Sequence, residues 1–466
     1  MTHYDLAIVG SGSGNSLITP DWDDRKVALI DGGVFGGTCL NVGCIPTKMF
    51  VFPAELATGA QEAQSLGVDL ELRDVRWRTI RDRIFSRIDA ISRDGRRYRA
   101  DELDNVTLYQ EYVRFTGEKS FVTATGEEIH ADQVVIAAGS RAVLPDIPGI
   151  TLPQVHTSDT IMRLDELPAR ILIIGGGYIA AEFAHIFGAF GSAVTMVNRS
   201  GSLLRTLDDS VSEAFTAEAL RRWDVVLNHT VASLTANDDG SVHAVIDGPE
   251  GQELDVDVVL VAIGRVPNTD RLGAADVGLD LDTEGRLVVD GHQRVLRDGS
   301  PIDGLWALGD VSNRFQLKHV ANHEARVVSH NLIHPGSLRT SDHRFVPAAV
   351  FTHPQVAVVG LTEAEALAKA EAEGFEIAVA VQQYGSTAFG WAMEDTTGFV
   401  KLIANQRTGM ILGAHIMGHE ASMIIQPVIQ AMSFGLDAQT MASGQYWIHP
   451  ALTEVVENAL LSLKTG

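Results

Sequence analysis

The chain has 466 residues, of which 45% are hydrophobic and 21% charged, a composition that excludes wholesale disorder. Lys and Arg total 36 and Asp and Glu total 60, so the formal net charge is −24. Such an acidic surface repels phosphate backbones and anionic lipid head groups, so we expect no nucleic acid and no membrane partner. At roughly 100–200 residues per domain, the length allows about three domains.

The first dinucleotide-binding unit is predicted at the N-terminus. An apolar run at 5–9 leads into the glycine-rich segment 10–14, and a second apolar run at 27–30 ends at Asp31. Gly10 permits a tight turn, Gly12 lets the backbone approach a pyrophosphate, and Asp31 is placed to bind ribose hydroxyls. The pattern predicts a following helix whose N-terminus attracts the phosphate charge. Asn15 stands where a third glycine is usual, which predicts looser helix–strand packing.

The same strand–turn–helix–strand pattern recurs about 165 residues later. The run 171–174 meets the segment GGGYIA at 175–180, and a second run at 193–197 ends in Asn198. An acid at this position would select unphosphorylated NAD, whereas here Arg199 and Arg205 follow. Two guanidinium groups suit the 2′-phosphate of NADP, so the sequence favours NADPH.

The two cysteines of the chain, Cys39 and Cys44, lie together in the segment GGTCLNVGCIPTK at 36–48. Two cysteines exclude a disulfide-stapled secreted scaffold and a multi-cysteine zinc module. In an ideal helix their Cα atoms would be about 8–9 Å apart, whereas a disulfide needs roughly 4.4–6.8 Å. We therefore expect a bent backbone here, set by Pro46, and a labile disulfide of the catalytic kind.

This segment resembles the redox-active centre of the flavoprotein disulfide reductases, the class I pyridine nucleotide-disulfide oxidoreductases that include glutathione reductase and lipoamide dehydrogenase. The similarity covers essentially the whole chain. Flavin-contacting strands of the family resemble 134–142, with Ala138 in place of Thr, and 305–310. The start of its dimer-interface domain resembles 351–363, and its C-terminal catalytic segment resembles 446–460. Stretches most similar to mycothione-reducing members are 10–16, 41–51, 389–398, 413–418 and 429–450.

The resemblance implies roles for individual residues. Cys39 is expected to be the thiol that attacks the substrate, and Cys44 the thiol beside the flavin. Lys48 and Glu182 are expected to pair close to the flavin, and His449, held by Glu454, to exchange protons. In this family the histidine comes from the other subunit, which implies a homodimer with a shared site. Expected FAD contacts are Gly10, Gly12, Gly14, Asp31, Gly37, Thr38, Lys48, Gly139 and Asp310, and expected NADPH contacts are Gly175, Gly177, Tyr178 as a gate, Ile179, Arg199, Arg205 and Gly264.

We predict an α/β fold with two Rossmann-like dinucleotide-binding domains and an α+β C-terminal dimerisation domain. Pro-rich stretches at 144–153, 264–273 and 334–347 mark the joints. The predicted division is an FAD domain at 1–147 that resumes at 267–340, an NADPH domain at 148–266 and an interface domain at 341–466. The N-terminus lacks a signal-peptide pattern, and no apolar run is long enough to span a membrane, so a cytoplasmic location is expected.

The predicted activity is NADPH-dependent reduction of a low-molecular-weight disulfide, with mycothione as the first candidate. The chain lacks the extra cysteine pair that mercuric and large thioredoxin reductases need. Dihydrolipoyl dehydrogenase, disfavoured by Asn198 and the two arginines, and glutathione-disulfide reductase are the enzymatic alternatives. A flavin-binding scaffold or redox sensor without turnover is the alternative from another class. No metal is expected, because His319, His323, His353 and His419 lack a ligand spacing.

Overall fold

The computed structural model describes residues 2–248 and 251–465; Met1 and Gly466, the outer limits of the predicted domains, lie outside this range. Strands form where aliphatic runs fall, as in Val27–Ile30, in which every residue is buried. In chain order the strands are β1 (Thr2–Val9), β2 (Val27–Ile30), β3 (Val106–Tyr109), β4 (Val113–Gly117), β5 (Ser120–Thr123), β6 (Glu128–Ile136), β7 (Ser140–Ala142), β8 (Val155–Thr157), β9 (Arg170–Ile174), β10 (Ala193–Asn198), β11 (Asp224–Leu227), β12 (Thr230–Ala236), β13 (Val242–Asp247), β14 (Gln252–Val256), β15 (Val258–Val261), β16 (Arg265–Pro267), β17 (Arg294–Arg297), β18 (Ser300–Ala307), β19 (Pro347–Val350), β20 (Gln355–Gly360), β21 (Ile377–Gln383), β22 (Phe399–Asn405) and β23 (Ile411–Gly418).

The helices cover the sheets and connect them. The α-helices are α1 (Gly37–Asn41), α2 (Cys44–Ser65), α3 (Trp77–Asp101), α4 (Tyr178–Ala189), α5 (Asp209–Arg222), α6 (Thr269–Leu272), α7 (Lys318–Ile333), α8 (Glu363–Glu373), α9 (Ala388–Ala392), α10 (Ala421–Ile424), α11 (Gln426–Phe434), α12 (Ala438–Ser443) and α13 (Glu454–Ser462). Short 3₁₀ turns occur at Gly14–Leu17, Pro20–Trp22, Ile161–Arg163, Ala275–Val277, Gly309–Val311 and Tyr384–Ser386. Among the described residues, no helix is long and apolar enough to cross a bilayer.

Three main sheets organise the molecule. The first has the order β17-β18-β6-β1-β2-β3, with parallel β18, β6, β1, β2 and β3, and β5 adds an antiparallel hairpin partner. The second is parallel, in the order β11-β10-β9-β15-β8. The C-terminal sheet is antiparallel, in the order β19-β20-β23-β22-β21. The predicted α/β class, with two parallel sheets and a C-terminal α+β unit, is confirmed.

The chain leaves the first sheet and returns to it after completing the second. β18 lies parallel to β6, with Leu305 opposite Val134 and Ala307 opposite Ile136. An aromatic cluster then fixes the helices of the two units against each other. The rings of Phe50 on α2 and Trp77 on α3 are 5.0 Å apart between centroids, and Trp77 lies 5.7 Å from Phe187 on α4.

The helix predicted after the first glycine turn is wrong. Between β1 and β2 the chain forms only the two 3₁₀ turns, whereas between β9 and β10 it forms the twelve-residue helix α4. Pro20 lies in the middle of the first connection, where it cannot donate a helix hydrogen bond. Ser and Asn in the same stretch favour turns. The second connection has mainly Ala, Ile, Phe and Glu there, which are compatible with a helix.

Candidate active site

Cys39 and Cys44 lie on either side of a break between two helices. Helix α1 ends at Asn41, and Cys44 is the first residue of α2. A Cβ atom on Gly43 would lie 2.9 Å from the Thr38 carbonyl oxygen, so glycine lets the chain turn this tightly. The expected bend is present, but Pro46 does not cause it. Pro46 is the third residue of α2, in the first turn, where its missing N–H costs no intrahelical bond.

The two thiols have opposite electrostatic environments. A hydrogen bond from Cys39 and the charge of the Lys48 ammonium outweigh the effect of burial and lower the pKa of Cys44 to about 7. The same hydrogen bond raises the pKa of Cys39 above its usual range, and burial adds to that rise. In the reduced pair, Cys44 is therefore the thiol that ionises more readily, and Cys39 holds its proton at neutral pH.

Lys48 and Glu182 form an ion pair that joins α2 to α4. The Lys48 Nζ atom lies 2.5 Å from Glu182 Oε2, and the Glu182 side chain is only 7% exposed. The backbone N–H of Phe351 donates to the other carboxylate oxygen at 3.0 Å. Lys48 Nζ also lies 4.5 Å from the centre of the Phe351 ring. The pair predicted from two distant motifs thus exists one turn beyond Cys44 and is closed by the loop after β19.

His449 and Glu454 form the second predicted pair. His449 Nδ1 lies 2.6 Å from Glu454 Oε1, and Glu454 is the first residue of α13. The carboxylate is 17% exposed and fixes the ring, whereas the imidazole is 71% exposed. Neighbouring Ile448 is 76% exposed. The structure therefore brings His449 to Glu454, but in the single chain its ring faces solvent and not Cys39.

A backbone cradle with the features of a dinucleotide site lies at the carboxyl end of the first sheet. Gly10 has φ +112°, and a Cβ there would lie 2.2 Å from the Ala137 carbonyl oxygen. Gly37 approaches Gly12 so closely that a Cβ would lie 2.7 Å from the Gly12 Cα. Thr38 follows Gly37 in α1. These approaches bring the Gly10–Gly14 turn against Ala137 and α1 with no side chain between the backbones, as in loops that let the backbone approach a pyrophosphate.

The replacement of the third glycine by Asn15 does not loosen the packing. A Cβ on Gly14 would lie 2.8 Å from Ile8 Cγ2 and 2.9 Å from Ala137 Cβ, so Gly14 provides the close contact expected of the third glycine. The Asn15 side chain accepts a hydrogen bond from Arg99 Nε at 2.9 Å. The prediction of looser packing is therefore wrong, because the neighbouring glycine takes over the role.

The acidic residues predicted for the cradle are oriented by neighbouring donors. The Asp31 carboxylate accepts from the backbone N–H groups of Ser11 and Gly33, both at 2.8 Å. The Asp310 carboxylate accepts a hydrogen bond at 2.7 Å from the hydroxyl of Ser140, the residue that follows Gly139. Both carboxylates keep further lone pairs for ligand hydroxyls.

The second glycine turn also has the features of a dinucleotide site. Gly175 has φ +131°, and a Cβ there would lie 2.3 Å from the Ala262 carbonyl oxygen. Gly177 caps α4, whose first two residues are Tyr178 and Ile179. Gly264 follows β15 at the same edge of the sheet.

The arginine-bearing loop beside this turn is held by Asn198. Its amide donates to the carbonyl oxygens of Ser200 and Ser202 at 3.1 and 2.8 Å. Arg199 and Arg205 are both exposed, so their guanidinium groups are accessible to an anionic ligand.

Three features were missed by the sequence analysis. Lys318 reaches the first glycine loop, Phe351 closes the Lys48–Glu182 pair, and a cavity of about 580 Å³ opens beside Cys44. None has a local motif, because each joins segments far apart in the chain. The cavity is lined by Cys44, Ile45, Lys48, Met49, Phe52, Arg83 and Arg87.

One group of side chains among the described residues has ligand atoms close enough for a metal ion. His3, His130 and Asp132, on the paired strands β1 and β6, place their ligand atoms within 4.8 Å of one another. They lie at the opposite end of the sheet from the cradle. The expectation that the chain holds no metal stays a prediction.

Comparison with protein families gives two matches that together span most of the chain. Residues 4–325 match the pyridine nucleotide-disulphide oxidoreductase family, and residues 346–460 match its dimerisation domain. Mycothione reductase of Mycobacterium tuberculosis (strain ATCC 25618 / H37Rv) is 50% identical over 475 residues, covering 100% of both chains. Glutathione reductase of Burkholderia cepacia is 32% identical, covering 97% of each chain.

The structural comparison agrees with these matches. The HOCl-induced flavoprotein disulfide reductase RclA from Escherichia coli, solved as a Cu(II) complex, superposes with a TM-score of 0.83. It is 28% identical in sequence, and the superposition covers 99% of each chain.

Proposed function

Because the chain belongs to the pyridine nucleotide-disulphide oxidoreductase family, we propose that it uses NADPH and bound FAD to reduce mycothione to two mycothiol molecules. The observation that carries the reaction type is the Cys39–Cys44 pair at the helix break, with one thiol activated and the other protonated. The observation that favours mycothione is the 50% identity to mycothione reductase over the full length of both chains. By comparison, dihydrolipoyl dehydrogenase of Synechocystis sp. (strain ATCC 27184 / PCC 6803 / Kazusa), a relative of the alternative activity, is 32% identical.

FAD is proposed to lie along the cradle of the first sheet. The close backbone approaches of Gly10 to Ala137 and of Gly37 to Gly12 support this placement, since such tight glycine turns let the backbone approach a pyrophosphate. Gly14, Thr38 and Gly139 border the same space, and Asp31 and Asp310 offer carboxylate oxygens to hydroxyl groups. Bound FAD supplies the two-electron relay between NADPH and the cysteine pair.

NADPH is proposed to bind at the second glycine turn. Gly175, Gly177 and Gly264 let the backbone approach the coenzyme, and the N-terminus of α4 faces its phosphates. Arg199 and Arg205 would bind the 2′-phosphate, which their exposure and the absence of an acid at Asn198 support. Tyr178, 40% exposed at the start of α4, would act as the gate beside Ile179.

The disulfide chemistry is assigned to four side chains. His449 removes the proton from Cys39, whose thiolate attacks one sulfur of the substrate and breaks its S–S bond. His449 then gives the proton to the departing thiolate, with Glu454 fixing the ring. The Cys44 thiolate next attacks the Cys39 sulfur of the mixed disulfide, which restores the Cys39–Cys44 disulfide and releases the second product as a thiolate that takes a proton from water. The raised pKa of Cys39 supports the need for such a base.

We propose that His449 serves the Cys39 of a second copy of the chain, so that the active site is shared in a homodimer. The dimerisation-domain match over residues 346–460 supports the assembly. The exposed imidazole, already oriented by Glu454, supports the sharing. Lys48 and Glu182 would stabilise charge beside the flavin from within each chain.

The division into segments 1–147, 148–266, 267–340 and 341–466 is likewise our proposal, and the return of β18 to β6 supports it. A cytoplasmic location is proposed from the expected need of a disulfide reductase for NADPH.

The test of the proposed function is NADPH oxidation by the purified holoenzyme with mycothione, glutathione disulfide, lipoamide and cystine. We expect turnover to be fastest with mycothione and to be lost in Cys39→Ser, which keeps the size of the side chain but removes the nucleophile. Faster turnover with lipoamide or glutathione disulfide would keep the mechanism and overturn the substrate. Failure with every disulfide would favour the scaffold or redox-sensor alternative.

A further inference from the structure

The first glycine loop lacks the structural element that usually neutralises a bound diphosphate. Helix α4 follows the second loop with twelve residues, whereas the first loop is followed by the four-residue 3₁₀ turn Gly14–Leu17. A single 3₁₀ turn has too few aligned peptide dipoles to match the partial charge of an α-helix terminus. In a chain with a net charge of −24, a diphosphate at this loop needs another positive partner.

Lys318 lies at this loop. It is the first residue of α7, and its Nζ atom donates to the Ser13 hydroxyl at 2.8 Å although the two residues are 305 positions apart. Helix α7, which carries Lys318, packs against the short turn that follows the loop. Ala325 and Val328 of α7 share one buried cluster with Leu17 of the 3₁₀ turn, so the helix covers the sheet face left free by the short turn.

The Lys318 ammonium is available to an anionic ligand. Its hydrogen-bond partner is a hydroxyl, which carries no charge, and the side chain is partly exposed to solvent. The loop residues around Ser13 have no acidic side chain from Gly10 to Thr19. A lysine ammonium with this access is a strong partner for a phosphate oxygen, because a hydrogen bond between two charged groups is stronger than one between neutral groups.

We propose that Lys318 replaces the missing helix as the positive partner of FAD, with its ammonium binding a diphosphate oxygen at the Gly10–Gly14 loop. This inference rests on the proposed binding of FAD in the cradle, but not on the substrate. The contact couples α7, far along the chain, to the first glycine loop. Lys318 is thus a cofactor-binding residue that the glycine motif alone does not reveal.

The test is the affinity of the holoenzyme for FAD, measured as the flavin fluorescence released on serial dilution. Lys318→Met removes the charge and keeps an unbranched side chain, whereas Lys318→Arg keeps the charge. We expect Lys318→Met to raise the FAD dissociation constant by about tenfold to a hundredfold, the range of a lost charged hydrogen bond. Lys318→Arg should stay close to wild type.

Lys26→Met is the matched control, since it removes one positive charge at the opposite end of the same sheet, just before β2. It should leave FAD affinity unchanged. The Lys318→Met protein should also lose part of the salt dependence of FAD binding, because salt screens the contact it lacks.

Two results would overturn the inference. One is an FAD affinity of Lys318→Met equal to that of Lys26→Met. The other is unchanged FAD affinity with a higher pKa for Cys39, which the positive charge of Lys318 lowers; that result would make Lys318 a partner of the thiol instead. A wild-type chain that binds no FAD would instead overturn the proposed function itself.

Discussion

Cys39 and Cys44 share one hydrogen bond but ionise over different pH ranges. The bond stabilises the Cys44 thiolate, and Lys48, one turn further along α2, adds its positive charge. The same hydrogen bond raises the pKa of Cys39, so Cys39 keeps its proton at neutral pH. The residue that is proposed to attack the substrate is therefore inactive until a base removes that proton, which gives His449 its task.

The hydrogen bond between the thiols can be tested in Cys39→Ala. With the donor removed, we expect the pKa of Cys44 to rise from about 7 toward the ordinary thiol value of about 8.5. Below the raised pKa, less thiolate is present, so alkylation of Cys44 by iodoacetamide should slow at neutral pH. Mass spectrometry of the labelled peptide across a pH series measures the midpoint. An unchanged midpoint in Cys39→Ala would show that Lys48 alone sets the pKa, and Lys48→Met serves as the comparison.

The proposed preference for NADPH over NADH also depends on two single residues, Arg199 and Arg205. In Arg205→Ala and Arg199→Ala we expect the KM for NADPH to rise by about tenfold each, the range of one lost charged hydrogen bond, with the KM for NADH unchanged. Steady-state kinetics with both coenzymes measures the effect. Arg221→Ala, on the exposed C-terminal turn of α5, is the control. Equal efficiency of the wild-type enzyme with NADH and NADPH would contradict a 2′-phosphate site at Arg199 and Arg205.

How far the site can be read from sequence depends on whether its parts are local. Cys39, Cys44 and Lys48 lie in one segment of thirteen residues, so their chemistry and spacing identify them. Lys318 and Ser13 are 305 positions apart, and their contact depends on how α7 packs. No spacing rule reaches that far, because only the folded sheet brings the two segments together.

At the scale of elements, the two glycine loops show that one motif supports two structures. Both loops end a parallel strand with a glycine at positive φ, Gly10 in one and Gly175 in the other. The apolar runs predicted the flanking strands correctly, since burial on both faces demands such runs. The helix after Gly10 was predicted from the motif, but Pro20 and the polar residues around it favour turns. Local chemistry there outweighs the motif.

The helix break between α1 and α2 is the element on which the disulfide depends. In Gly43→Ala the new Cβ would lie 2.9 Å from the Thr38 carbonyl oxygen, which forces the turn to open and the thiols to separate. We expect at least about a tenfold loss of disulfide turnover, because misplacing reacting groups by about 1 Å is costly. Thiol counting after oxidation should show free Cys39 and Cys44.

Gly59→Ala provides the control for this variant. Gly59 lies in the same helix α2, and a Cβ there has open space within 4 Å. It should keep its turnover, with helix stability raised by about 0.5–1 kcal/mol, the usual gain over glycine. Normal turnover in Gly43→Ala would contradict the role given to this turn.

At the scale of the whole molecule, a buried ion pair joins the second sheet to the C-terminal sheet. Asp208, the N-cap of α5, lies 2.6 Å from the Nζ atom of Lys401 on β22, and the two side chains are 1% and 6% exposed. Burial alone would raise the pKa of Asp208, but hydrogen bonds from Lys401 and Ser210 outweigh it, so the pKa lies well below its usual range. The pair holds the C-terminal sheet in place against the second parallel sheet.

Asp208→Asn should destabilise the chain by about 2 kcal/mol, because the buried Lys401 ammonium would keep only one charged partner, Glu363 Oε2 at 2.7 Å. The depressed pKa fixes the pH dependence. The contribution of Asp208 is complete above the unfolded-state pKa of about 3.9 and is lost as the pH falls toward the folded-state value. The variant should therefore lose this part of its acid sensitivity. Urea unfolding at several pH values measures both effects.

Asp209→Asn, one residue further and exposed, is the control and should match wild type within about 0.5 kcal/mol. Equal urea midpoints for Asp208→Asn and Asp209→Asn would show that the pair does not stabilise the contact between the two sheets.

The predictions from sequence are weakest at this scale. The α/β class was predicted correctly because glycine motifs and strand patterns repeat along the chain, and the dimerisation domain because the segment 351–363 resembles that of the family. The position of His449 relative to Cys39 does not follow from either, since in the single chain the His449 ring faces solvent and not Cys39. The exposed ring beside Ile448 supports the proposed contact between chains.

The proposed active site is built from Cys39 and Cys44 of one chain and His449 of the other. Mixing Cys39→Ser and His449→Ala proteins under conditions that exchange subunits tests it directly. Each variant alone should be nearly inactive with mycothione. The mixture should recover about a quarter of wild-type turnover, because half of randomly paired dimers are mixed and each has one intact site of two. No recovery, despite mixed dimers shown by native mass spectrometry, would contradict a shared site.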